Sequence, residues 1–267
     1  MVKSSPFIHS SCTTSAIYRW AMVGFVPAIL AMAFFQVAGF GVLVTCSITS
    51  FLAQMWSNYR ANLKILDISA LITGVTMGLM LPMDCPTWAC ILASLVSIFG
   101  VKTLFGGMGK NWFNPACAGV ALLLCFPSLW GTALEGAQGQ FLWGYFGGGL
   151  AEVSSVLLLI GAGFLVWKRL ARWQIFVPYL AGVAVASLFL GANLVAVLVW
   201  GGTLFGAFYL SSDPVTSPVD SRWHPLYGLF AGIFATSFAY FLPAMGGVAL
   251  GIICTNLLGR LADFLSS

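Results

Sequence analysis

Acidic side chains are scarce: 267 residues hold seven Asp and Glu, eleven Lys and Arg and two His, so 7% of the chain is charged, where soluble domains carry about 25%. That shortage excludes a solvated domain of any size. The formal charge of +4 comes from basic residues scattered in ones and twos, which argues against a nucleic-acid surface. No C-x-x-C pair occurs among Cys12, Cys46, Cys85, Cys90, Cys117, Cys125 and Cys254. Most of them lie in apolar runs, where a thiol acts as a small hydrophobe rather than a metal, cluster or disulfide ligand. His9 and His224 sit near opposite ends of the chain and suggest no metal or haem pair. No Ser/His/Asp or Cys/His arrangement marks a hydrolase.

What the chain has is hydrocarbon: 60% of residues are hydrophobic and the mean hydropathy is +0.98. One helical crossing of a bilayer core needs about 20 apolar residues. Ten such segments fit, near 16–36, 38–57, 66–83, 86–105, 114–130, 148–167, 173–191, 193–210, 224–242 and 244–262. The expected fold is an all-α polytopic membrane protein, a single membrane domain over residues 1–267 in contact with the lipid bilayer. Lys3 precedes a full-length apolar run with no A-x-A cleavage signal after it, so the N-terminus reads as retained.

Ten spans put both termini on one side. Lys3, Arg19, Arg60, Lys64, Lys102, Lys110, Lys168, Arg169, Arg172, Arg222 and Arg260 all fall at loops or ends on that same side. Lys and Arg accumulate in cytoplasmic loops, so both termini are expected in the cytoplasm, with the protein multi-pass in the cell inner membrane. The opposite loops carry only Asp84 and Glu135.

An internal echo relates "TGVTMGLMLPMDCP" (73–86) to "GGTLFGAFYLSSDP" (201–214), with Gly74/Gly202, Gly78/Gly206 and Pro86/Pro214 at a constant offset of 128 residues. Five spans separate the copies, so they run in opposite directions. Two inverted five-helix repeats, about 1–130 and 148–267, are the expectation, and such repeats place binding sites or pathways at their interface. The bland alternative is that G-x-x-x-G pairs recur as helix-packing faces.

The stretch "GGMGKNWFNPACAG" (106–119) resembles a phosphate loop but lacks its spacing: Gly109-Lys110 is followed by Asn111, and position 104 is Leu. Asn114-Pro115 instead reads as a helix start, with Asn as N-cap and Pro at the first helical position. Asp67 in "DISALITG" is either the N-cap of the third helix or part of a cofactor pocket. Glu152 in "LAEVSS" is an intramembrane carboxylate, hence a functional candidate, or an acid favoured by a helix N-terminus. Asp213 opens "SSDPVTSPVDSRWHP", a run of ordinary turn formers.

Taken together, "SSPFIH" (4–9), "DISALITGVTMGLMLP" (67–82), "LFGGMGKNWFNPACAGVALLLCFP" (104–127), "GGGLAEVSSVLLLIGAGFLVWKRLARWQI" (147–175) and "TLFGAFYLSSDPVTSP" (203–218) resemble RnfD, the D-type membrane protein of the Rnf electron transport complex. Its counterpart NqrB, from the sodium-pumping NADH:quinone reductase, looks like a more distant match. The blocks occur in family order and span almost the whole chain. The resemblance implies a urea-transporter-like fold in an ion-translocating oxidoreductase, with the other Rnf-type subunits as partners. It also implies flavin, either FMN or riboflavin. In that family a threonine after the fifth helix holds FMN through a phosphoester, in a motif close to D-x-x-S-G-A-T-[PA]-L. Thr132 in Gly131-Thr132-Ala133-Leu134 matches its last part; the upstream Asp is missing and S-G-A is replaced by Leu129-Trp130-Gly131.

The residues expected to hold cofactor are therefore Thr132, Asn111, Asn114, Asp67 and Glu152. Thr132 reads otherwise as an ordinary loop threonine. Two rivals remain at this point: a small-solute channel built on the same fold, and a scaffold subunit without a cofactor.

Overall fold

The computed structural model describes residues 14–63, 67–107, 109–129 and 154–266. Among these the regular structure is helical: α1 (Thr14–Phe35), α2 (Phe40–Arg60), α3 (Ile68–Met80), α4 (Thr87–Leu95), α5 (Pro115–Leu122), α6 (Ser155–Trp167), α7 (Trp173–Leu190), α8 (Leu194–Val199), α9 (Gly201–Phe205), α10 (His224–Phe241) and α11 (Ala244–Ser266). Every expected span contains helix. The stretches 16–35, 37–60, 173–190 and 245–266 are long and apolar enough by themselves to cross a bilayer.

Local chemistry explains where the shorter helices stop. α3 ends at Met80 because Leu81 is extended ahead of Pro82, as a residue preceding proline prefers. Proline also closes the fifth segment: α5 passes into a short 3-10 turn at Leu123–Cys125, and Phe126 leaves helical geometry before Pro127. The eighth segment, expected as one helix over 193–210, is broken. Trp200 adopts extended backbone between α8 and α9, and its ring occupies the place that a Cβ on Gly202 would take. Glycine at 202 is what lets the indole fold back over the chain.

Two segments widen from α into π geometry, Val96–Thr103 after α4 and Gly206–Leu210 after α9. Wide turns of this kind gather at functional sites.

Packing follows the glycines of the echoed stretches. A Cβ on Gly74 would stand 2.6 Å from the Ser47 backbone and one on Gly78 2.8 Å from that of Leu43, so α2 and α3 touch backbone to backbone. In the second half, Gly206 is covered by the Tyr179 ring of α7. α1 crosses α6 and α5 lies against α11, while α10 packs between α7 and α11. At the α1/α6 crossing, the Tyr209 hydroxyl donates toward the carbonyls of Gly24 and Leu158, each at 3.1 Å.

Candidate functional site

One end of the bundle collects the polar groups. The carboxylate of Asp67 caps α3, accepting from the backbone N–H of Ser69 at 2.9 Å and from its hydroxyl at 2.6 Å. The other carboxylate oxygen pairs with the Lys102 ammonium at 2.9 Å, and the two side chains are only 9% and 3% exposed. Lys102 also donates to the Ser69 hydroxyl. Beside this pair, the Ser57 and Thr103 hydroxyls lie 3.0 Å apart, tying the ends of α2 and the α4 segment.

Asn114 caps α5 as its sequence context anticipates: its side-chain oxygen accepts from Ala116 N at 3.0 Å and Cys117 N at 3.3 Å, with Pro115 in the first turn. Its own backbone N–H donates to Asn256 Oδ1 of α11 at 2.9 Å, and Asn256 Nδ2 donates to the Tyr227 hydroxyl at 2.7 Å. One guanidinium bridges two loops here. Arg260 Nη2 donates to the carbonyls of Asn111 and Val215, and Nη1 lies 3.7 Å from Asp263.

Asp213 is half-buried in the second of these loops, where it accepts from Val215 N and the Thr216 hydroxyl, each at 3.2 Å. Burial pushes its carboxyl above the usual carboxylate range, against the opposing pull of those hydrogen bonds and the more distant Arg172 and Arg260. Further along, Arg172 donates to Ser217 at 3.3 Å and lies 3.3 Å from the His224 ring.

Between these elements is a cavity of about 120 Å³. Its polar wall is made by Ser69, Lys102, Asn111, Asn114 and Asp213; Tyr18, Phe25, Phe208 and Tyr209 supply aromatic surface. Asn111 is 6% exposed, and its Oδ1 is buried without a hydrogen-bond partner among the described residues. Both π segments reach this wall, the first through Lys102 and the second through Phe208 and Tyr209.

The model of the NQR2, RnfD, RnfE family matches residues 1–266. The chain belongs to that family. Among curated members, it is 26% identical to the D subunit of the Na(+)-translocating ferredoxin:NAD(+) oxidoreductase complex of Acetobacterium woodii, over 96% of this chain and 90% of the relative. It is 25% identical to the D subunit of the ion-translocating oxidoreductase complex of Actinobacillus succinogenes (97% and 94% covered) and 26% to that of Salmonella paratyphi A (98% and 96%). The last alignment extends over 338 positions against a chain of 267 residues, so these NQR2, RnfD, RnfE relatives carry segments that this chain lacks.

Of the residues singled out in the sequence, Asn111, Asn114 and Asp67 meet at one end of the bundle, the first two on the cavity wall and Asp67 paired with Lys102 of that wall. Thr132 and Glu152 lie outside the described residues. Lys102, which the charge pattern puts near a loop as one of the orienting cations, stands in the last turn of the widened helix segment beside that loop, and is buried against Asp67. The signal for this is its position two residues before the apolar pair Leu104-Phe105, which makes it an ionisable group within a span. Arg260, Asn256 and Tyr18 have no comparable signal, because each takes its place through contacts remote in sequence.

Proposed function

We propose that this chain is the D-type membrane subunit of an ion-translocating oxidoreductase complex, carrying electrons through flavin and coupling their flow to Na+ or H+ movement. The family match along residues 1–266 carries this reading. The relatives' names place them in such complexes, which makes the complex's other subunits the expected partners. The cell inner membrane is the expected location, with both termini cytoplasmic. In support, Lys102 pairs with Asp67, Arg172 bonds to Ser217, and Arg260 bonds to Asn111 and Val215, so basic residues join the loops and ends that flank several helices.

The cavity residues fit one edge of a flavin ring system. A cavity of about 150 Å³ accepts a benzene-sized ring, so about 120 Å³ suits a ring edge rather than a whole tricycle. A flavin's pyrimidine edge alternates carbonyl and N–H groups, and an asparagine amide offers the complementary acceptor and donor. The unsatisfied Asn111 Oδ1 is the acceptor that such an edge would engage. When bound, flavin supplies one- and two-electron transfer. The chain's own part is to bind the edge through Asn111, to hold the loop that bears it through Arg260 and Asn256, and to exclude water with Phe25, Phe208 and Tyr209. Thr132 is the proposed attachment point of a separate FMN through a phosphoester, with Glu152 as a further candidate cofactor residue.

The two halves, about 1–130 and 148–267, are proposed as inverted repeats. The α1/α6 and α5/α11 contacts support this, since they pair elements occupying the same rank in each half.

The test is purification of the chain from its native membrane. Co-purifying redox subunits, a mass of one FMN on the intact chain that Thr132→Val abolishes, and extractable flavin would sustain the reading. A colourless protein that purifies alone and conducts small solutes in liposomes would replace it with the channel.

A further inference from the structure

Among the described residues the cavity has one cation on its wall, and the placement of that cation's counterion is asymmetric. Lys102 lines the cavity; Asp67 does not, although its carboxylate lies 2.9 Å from the ammonium. Ser69, which lines the wall with Lys102, bridges the two by accepting from the ammonium and donating to Asp67 Oδ1. Of the two charged residues, Lys102 is on the cavity wall and Asp67 is not.

A structural role alone explains this poorly. Capping α3 requires only the Asp67 carboxylate and the Ser69 N–H, and a buried ion pair is often no more stabilising than apolar side chains of the same volume. Nor do the neighbouring charges duplicate Lys102. Asp213 on the same wall is a carboxyl that burial raises above its usual range, while Arg260 and Arg172 are engaged by carbonyls and by Ser217 in the flanking loops. A fixed charge held out of water acts strongly on any charge that develops beside it.

We infer that Lys102 is the positioning charge that stabilises the added electron on the aromatic carrier bound in this cavity, with Asp67 as the counterion that moderates it. The inference rests on the flavin reading of the cavity. In the step concerned, a redox centre of a partner subunit gives up one electron and the ring gains it. No covalent bond forms or breaks, the ring becomes more negative by one charge, and the proton stays on the Lys102 Nζ. Lys102 favours the reduced ring; Asp67, off the cavity wall, partly cancels that preference.

The two members of the pair therefore have opposite effects on the carrier's potential, which no purely structural role produces. The experiment is spectroelectrochemical titration of flavin in the purified complex, in a Thr132→Val background so that only non-covalent flavin is read. Asp67→Asn is expected to raise the midpoint potential, and Lys102→Met to lower it by about 59 mV, a tenfold change in the one-electron equilibrium; Lys102→Arg is expected to stay near wild type. If Lys102→Met does not assemble, Lys102→Met/Asp67→Asn leaves no lone buried ion, and its potential is expected to fall below that of Asp67→Asn. Potentials that do not move, or that move in the same direction in both single variants, overturn the inference while the flavin reading stands. A Thr132→Val complex with no flavin left to titrate overturns both.

Discussion

The side-chain oxygen of Asn256 accepts the backbone N–H of Asn114 at 2.9 Å, joining segments 142 residues apart. Asn256 is fully buried, and its amide nitrogen serves the Tyr227 hydroxyl at the same time. Replacing it by leucine strips partners from two buried groups, each worth about 1–3 kcal/mol when left unsatisfied. Asn256→Leu should therefore lower the thermal unfolding midpoint clearly, whereas Asn256→Gln should recover part of the loss. Equal midpoints for Asn256→Leu and wild type would show that neither bond matters.

Arg260 ties the loop at Asn111 to the loop at Val215. Arg260→Met should raise amide hydrogen exchange in residues 109–114 and 213–219 together, and should weaken retention of any cavity-bound flavin. One nitrogen, Nη2, serves both carbonyls; lysine has the donors but not the planar guanidinium that fixes that nitrogen's position, so Arg260→Lys should fall between methionine and wild type. Faster exchange in only one loop would contradict the bridge.

Close contact between α2 and α3 depends on the missing Cβ at Gly74. Gly74→Ala must push the helices apart, and overpacking of this kind costs about 1–3 kcal/mol. Gly163 in α6 is the control: a Cβ there meets nothing within 4 Å, and Gly163→Ala should be neutral or stabilising by about 0.5–1 kcal/mol through helix propensity. Denaturation of both variants in matched detergent compares the two. Equal stabilities would remove the case for backbone contact at Gly74.

Asp213 gives a pH signature. Its folded-state carboxyl titrates above the unfolded value because burial opposes ionisation, so the folded state holds the proton more tightly. Its contribution to stability is complete below the ordinary carboxylate range and is lost as pH rises through the raised folded value. Asp213→Asn keeps a neutral acceptor for Val215 N, and it should gain stability over wild type as pH increases, with the gap closing in acid. A pH-independent gap would show that Asp213 is ionised equally easily folded and unfolded.

Local signals make part of the site legible. Asn114-Pro115 and Asp67-Ile68-Ser69 are helix starts whose side chains reach their own backbone two or three residues on, so their geometry is written in adjacent residues. Asn111 stands out as a polar group in a glycine-rich turn. Lys102 lies beside the loop to which the charge pattern assigns it, but counting cations does not show that this one is buried against Asp67.

Composition and run length by themselves determined the all-helical membrane class, because hydrophobicity acts over a few residues; the expected spans 66–83 and 114–130 run past Pro82 and Pro127, where the backbone has already left the helix. Only the tertiary structure decided the break at Trp200, the backbone contact of α2 with α3, and the cavity wall that joins Lys102, Asn111 and Asp213. Those features depend on which helix faces meet. That is settled by close packing and by buried polar groups finding partners such as Asn256 for Asn114, far away in sequence.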